Sequence, residues 1–173
     1  KLTGAESLRS IVRTMKILAA VNVRQYEKMA AESDDYNLAV EMGFSIFLNQ
    51  NPSKEYAPLA PSGKKGYIIL GSDMGMCGKF NELSADFALS VIEEPENALV
   101  MAVGDKVAGK LEDAGLAPAD VIMYPAVLSA GIVPMLWEIL NKVEIWMEKL
   151  NVNSIVICRN KPAESMGYAP EAR

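Results

Sequence analysis

The chain has 173 residues, half of them hydrophobic, with seventeen lysines and arginines against twenty-two acids. It contains no histidine, which excludes Ser-His-Asp and Cys-His devices and any metal site built on imidazole. No apolar run approaches the ~20 residues that span a bilayer, no signal peptide is visible, and the two cysteines, Cys77 and Cys158, have no Cys-x-x-Cys spacing, so reduced, buried thiols in a cytoplasmic compartment are expected.

Residues 4–49 contain no proline and one internal glycine, Gly43. Thr3-Gly-Ala-Glu6 fits a capping box at a helix start. Leu8, Ile11, Met15 and Leu18 recur at three-four spacing, flanked by Val12, Ala19, Val23 and Tyr26. A long helix over residues 1–50 is therefore predicted, with Ser33-Asp-Asp35 or Gly43 as the places where it could break. Its first thirty residues carry six bases (Lys1, Arg9, Arg13, Lys16, Arg24, Lys28) against Glu6 and Glu27, while the remainder of the chain carries eleven bases against twenty acids. Such a split suits either a basic element that meets an acidic protein surface or an ordinary solvated face. Nucleic acid is the weaker partner, because the chain is acidic overall and lacks interleaved aromatic and basic residues.

Residues 51–64, with three prolines and a glycine, read as a linker. After it apolar strands alternate with helices: strand 67–70, helix 82–92, strand 98–103, helix 106–114 ended by Gly115, strand 121–124, helix 132–150 with Pro134 in its first turn, and strand 154–158. Continuous apolar strands separated by helices predict an α/β fold, a Rossmann-like βαβ domain with a parallel sheet over residues 65–173. No terminal element is expected in Tyr168-Ala-Pro-Glu-Ala-Arg173.

Gly71-Ser-Asp-Met-Gly-Met-Cys-Gly-Lys-Phe-Asn81 lies where the first strand passes into the first helix of this domain, the usual place for a phosphate cradle. Its glycines are spaced G-x-x-x-G-x-x-G, which is neither the dinucleotide fingerprint nor a P-loop, since Phe80 follows Lys79. Asp105, after the second strand, fits a ribose contact or a helix N-cap equally. Cys77 has no base to activate it and reads as a small buried packing residue. The loop then reads as a tight turn: glycines permit positive φ and close approach, Asp73 bonds local amides, and Phe80 plugs the core.

Two segments together resemble one family. Ser72-Asp-Met-Gly-Met-Cys-Gly-Lys-Phe-Asn81 is similar to the Ser-Asp-Arg-Gly-Leu-Cys-Gly-Gly-Phe-Asn of the γ subunit of F-type rotary ATP synthases, with Met74 and Lys79 as departures. Thr14-Met-Lys-Ile-Leu-Ala-Ala20, followed by Arg24-Gln-Tyr-Glu27, is similar to the Ala-Met-Lys-Met-Val-Ala-Ala helix of the same family, and its flanks resemble the alternate, sodium-linked branch. The resemblance implies a non-catalytic central-stalk rotor that transmits torque between a membrane c-ring and the α3β3 ring, driven by proton or sodium ion transport. Its implied partners are the α and β subunits, the ε subunit and the c-ring, with no cofactor and no metal of its own. It implies a peripheral place on the cytoplasmic face of the membrane. Arg9, Arg13, Met15, Lys16 and Arg24 are the implied subunit-interface residues. Ser72, Asp73, Gly75, Cys77, Gly78, Phe80 and Asn81 are the structural signature loop. Family members end in a second long helix antiparallel to the first. On this resemblance the chain is expected to be a fragment without that helix, with Leu8, Ile11, Met15 and Leu18 exposed or covered by another copy. The readings that compete with it are a small Rossmann-like nucleotide-binding protein or enzyme with a helical oligomerisation arm, and a coiled-coil scaffold.

Overall fold

The computed structural model describes residues 2–50, 63–125, 128–163 and 167–173. Contacts divide the chain into two compact units, Lys1–Tyr56 and Ala57–Arg173.

Among the described residues the first unit holds one helix, α1 (Leu2–Gln50), of 49 residues. At 1.5 Å per residue it extends roughly 74 Å. It begins ahead of Thr3, so the expected capping box lies inside the first turns and does not start the helix. It also runs unbroken through Ser33 and Gly43, where a break was anticipated. One glycine costs a helix only about 1 kcal/mol. Lys28 faces Glu32 one turn on, at 3.6 Å, and Asn37 Nδ2 donates to Glu41 Oε1 at 3.1 Å. Leu8 and Ile11 are exposed, at 65% and 55%, and Met15 is half-buried. The side chain of Leu18 lies outside the described residues.

The second unit is built on β1 (Lys64–Leu70), α2 (Phe80–Val91), β2 (Leu99–Val103), α3 (Asp105–Asp113), β3 (Asp120–Ile122), α4 (Leu128–Lys149), β4 (Val152–Ala163) and β5 (Gly167–Ala172). The sheet order is β3-β2-β1-β4-β5, parallel throughout except for β5, which pairs antiparallel with β4. The α/β fold with a parallel-dominated sheet is as expected. The expected linker lies outside the described residues except at its end, where Lys64 already belongs to β1.

Alternation along β1 sends Tyr67 and Ile69 to one face and Ile68 to the other. Tyr67 and Ile69 pack with Ala85, Ala88, Val107 and Leu111 of α2 and α3. Ile68 packs with Met101, Val103, Ile122 and Trp146 on the α4 side. Full burial of such side chains contributes about 1.5–3 kcal/mol each. Trp146 is also held by chemistry: its Nε1–H donates to Asp120 Oδ2 at 3.2 Å, and Lys142 Nζ donates to Asp120 Oδ1. The indole lies against Gly66, where a Cβ would stand 3.0 Å from the ring. Gly115, at φ 85, closes α3 as expected. Its N–H bonds Glu112 O and the next N–H bonds Leu111 O, the paired pattern of a Schellman cap.

Two sequence expectations fail here. Pro134 is not in the first turn of its helix, because α4 starts at Leu128 and carries the proline inside. Gly131, inside the helix, gives Pro125 room: a Cβ at 131 would meet the Pro125 Cβ at 2.2 Å. The end of the chain does form an element. Strand β5 has weak β-formers and a proline, and its order comes from pairing with β4. Ile157 and Arg173 exchange both backbone bonds, so alternation puts Asn160 and Pro170 at a non-hydrogen-bonded pair. The proline nitrogen therefore faces away from β4, and the ladder loses no donor.

Candidate functional site

The loop between β1 and α2 is a knot of polar contacts around Asn81, which is buried at 6% exposure. Asn81 Oδ1 accepts from Ser72 N–H at 2.8 Å, while Nδ2 donates to Ser72 Oγ at 2.8 Å and Cys77 Sγ at 3.2 Å. Ser72 Oγ in turn donates to Met74 O at 2.8 Å. Gly71 lies beneath, with its N–H on Val103 O at 2.8 Å. A Cβ there would meet Val107 Cβ at 2.3 Å and Asn81 Oδ1 at 2.7 Å, so no side chain fits. Gly78 and Met76 both take φ 61; Gly75 has open space around it.

Asp73 does not bond local amides. Its Oδ1 accepts from Asp105 N–H at 2.8 Å and its Oδ2 from Tyr124 N–H at 2.6 Å, 32 and 51 residues away. One carboxylate from the end of β1 thus ties the chain at the ends of β2 and β3. It also supplies the N-terminal cap of α3, whose N-cap residue Gly104 has no side chain to do so. Asp105, which fitted a ribose contact or an N-cap equally in sequence, is not the cap: it sits in the first turn and pairs with Lys106 at 2.8 Å. Burial first, and the Asp73 carboxylate second, push the Tyr124 phenol above its ordinary value.

Phe80 and Cys77 also depart from expectation. Phe80 begins α2 and does not plug the core. It is half-buried and meets Tyr168 of β5 edge-on, with ring centroids 5.0 Å apart. Asn160 Nδ2 donates to Phe80 O at 3.1 Å. Cys77 is partly exposed and belongs to the polar knot, whereas Cys158 is fully buried; both are free thiols. Neither Tyr168 nor Asn160 carried a signal in the sequence, because their role depends on the β4–β5 hairpin folding back on the loop.

This geometry bears on the phosphate-cradle reading. In a doubly wound sheet ligands sit beyond the strand ends where the strand order reverses, here between β1 and β4. That place is taken by the loop's contacts with Asn160 and Tyr168, and the Gly71 and Ser72 amides are already engaged. Among the described residues no cluster of acids and cysteines could hold a metal ion, and no helix is long and apolar enough to cross a membrane.

The second candidate surface is on α1. At 100° per residue the four bases Arg9, Arg13, Lys16 and Arg24 fall within a stripe about 80° wide. All four are exposed. Met15 is not on that stripe; it lies about 100° from Lys16, on the neighbouring apolar face.

A family model described as ATP synthase matches residues 1–173. The mitochondrial ATP synthase subunit gamma of Kluyveromyces lactis is 30% identical over 112 residues, 64% of this chain and 36% of that one. The chain belongs to the ATP synthase γ family. The ATP synthase gamma chains of Clostridium pasteurianum and Clostridium botulinum are 29% and 25% identical, over 63% and 80% of this chain and 40% and 50% of theirs. The chain therefore spans between 36% and 50% of the length of these γ relatives. In fold it is similar to a chain in the central stalk and c-ring structure of the Tetrahymena thermophila mitochondrial ATP synthase, with a TM-score of 0.51, 16% identity, and 72% and 52% of the two chains covered.

Proposed function

We propose that this chain works as the rotor of an F-type ATP synthase, carrying torque between a membrane c-ring and a catalytic α3β3 ring. The observation that carries the reading is the γ-family match over all 173 residues. The 49-residue helix supports it, because a lever must stay continuous to transmit twist. In this reading residues 1–50 are the shaft and residues 65–173 the globular foot, which meets the ε subunit and the c-ring. The chain is non-catalytic, with ATP chemistry on the α and β subunits, and it sits peripherally on the cytoplasmic face of the membrane. Arg9, Arg13, Lys16 and Arg24 form the basic stripe that turns against acidic segments of the ring, and Met15 contacts it from the adjoining face. Exposed charge pairs are worth only about 0–1 kcal/mol each. Such contacts guide a shaft without locking it.

The test is reconstitution. Mixing the chain with α and β subunits of a related synthase should give a complex with one copy of the chain per ring. Replacing Arg9, Arg13, Lys16 and Arg24 together by glutamine should weaken its retention in a salt-dependent way. Tight binding of ATP or NAD to the isolated chain would overturn the rotor reading in favour of a nucleotide-binding protein. Failure of any ring to capture the chain would count against it equally.

A further inference from the structure

Alternation along β1 sends Lys65 and Tyr67 to the α2 face of the sheet and Lys64 to the other. At the amino-terminal edge of the sheet, the far end of β1 from the Asn81 loop, they meet the chain that leaves α2. The two segments frame a hollow of about 260 Å³, lined by Lys65, Tyr67, Glu93, Glu94, Asn97 and Ala98.

The floor of the hollow holds an unmet polar group. Tyr67 is 2% exposed, and its ring packs with Ala85, Ala88 and Ile92. A phenol so deeply placed normally finds a partner. The Tyr67 hydroxyl makes no hydrogen bond among the described residues. Among those residues Asn160 Oδ1 is the one fully enclosed side-chain oxygen or nitrogen without a partner. The Tyr67 oxygen is therefore not enclosed: it opens into the hollow.

The walls decide which charge fits there. Lys65 Nζ donates to Glu93 Oε2 at 2.9 Å, so those two groups neutralise each other. Glu93 first, with Tyr67 behind it, holds the Lys65 ammonium above its ordinary value of 10.5. Glu94 forms no ion pair among the described residues. Its Oε2 accepts from Asn97 Nδ2 at 3.1 Å and its backbone O accepts from Asn97 N–H at 3.0 Å, a turn that fixes the carboxylate. The last turn of α2, just before it, holds no basic residue, so its carbonyl end adds partial negative charge on the same side. A carboxylate, a helix C-terminus and a phenol oxygen are thus left without a positive partner, and all three favour a cation. No group of acids and cysteines among the described residues could hold a metal ion. The volume is roughly nine times the ~30 Å³ share of one water, which suits a short alkylammonium.

We propose that this hollow binds a small primary amine, its ammonium held between the Tyr67 hydroxyl and the Glu94 carboxylate and its alkyl chain against Ala98. The site goes beyond the rotor reading and does not depend on it.

The test uses the full chain with n-butylammonium chloride as the probe. In two-dimensional amide NMR spectra the signals of residues 65–67 and 93–98 should shift and saturate. Potassium chloride at equal ionic strength and n-butanol, the neutral analogue, should leave them in place. Glu94→Gln and Tyr67→Phe should each weaken binding about tenfold, the loss of one hydrogen bond to a charged group. Without the probe, Tyr67→Phe should unfold at a urea midpoint no lower than that of the parent, because the hydroxyl has no partner to lose. A marked loss of stability would show the phenol bonded inside the protein and overturn the proposal. Absence of a saturable shift, or equal shifts with n-butanol, would overturn it as well. A blocked lysine tripeptide that bound about tenfold more tightly than the probe would assign the hollow to a protein side chain and overturn the small-molecule reading. None of these outcomes bears on whether an α3β3 ring captures the chain.

Discussion

Asp73→Ala should be the most damaging single change in the β1–α2 loop. The carboxylate accepts two backbone N–H groups, those of Asp105 and Tyr124. A bond to a charged acceptor contributes about 1.5–3 kcal/mol, and a buried donor left unmet costs about 1–3 kcal/mol. The Tyr124 bond is part-buried, so its loss should cost about 2 kcal/mol; the Asp105 bond is exposed, where water takes over most of the role, and adds about 1 kcal/mol. The sum of about 3 kcal/mol, divided by a urea slope of about 1.5 kcal/mol/M for a domain of this size, moves the unfolding midpoint down by about 2 M. The assay is urea unfolding followed by tryptophan fluorescence, paired with hydrogen exchange at the amides of residues 105 and 124. Asp105→Ala is the control: its side chain is exposed and pairs only with Lys106, so it should shift stability by no more than about 0.5 kcal/mol. A midpoint shift below about 0.5 M for Asp73→Ala, or equal shifts for both variants, would refute the view that Asp73 ties three strand ends together.

Three further outcomes are expected. Gly71→Ala should destabilise the domain by about 2–3 kcal/mol, because the new methyl meets Val107 and Asn81, whereas Gly75→Ala should stay within about 0.5 kcal/mol in the same thermal melt. Burial raises the Cys158 thiol above its ordinary value of 9.0, which favours the neutral form in the folded chain. Its contribution to stability is thus intact below that value and falls as the pH climbs through the raised folded value, a slope that Cys158→Ala should flatten in pH-dependent urea titrations. Acrylamide should quench Trp137 in the Trp146→Phe variant at once, and should reach Trp146 in the Trp137→Phe variant only on unfolding, since the two are 62% and 2% exposed.

What the sequence disclosed followed from local pattern. Helix α1, the four parallel strands and the Gly115 cap were legible because apolar spacing, the absence of proline and a glycine after a periodic run act within a few residues. The errors arose where a distant partner decides the outcome. Asp73 looked like a turn residue because the amides it serves are 32 and 51 positions away. Gly-Ile-Val-Pro134 looked like a helix start because Pro125, which needs the space at Gly131, gives no signal of its own. Strand β5 was invisible because five of its six residues are weak β-formers, and it becomes a strand only when β4 is beside it. The family motif marked the right loop but not its construction: Asn81, the buried centre, stood last among the signature residues with no contact of its own expected, while Phe80 was expected in the core.

Pro170 has a consequence on the side it turns away from the sheet. Strand β5 is the outermost strand, and the backbone groups of residues 168, 170 and 172 face outward from it. The middle one of these three lacks an N–H. A strand arriving from another molecule would find acceptors and two flanking donors but no central donor, and the pyrrolidine ring would stand in its way. The same proline that costs the β4–β5 ladder nothing therefore ends the sheet at five strands, and keeps a rim of backbone from seeding aggregates.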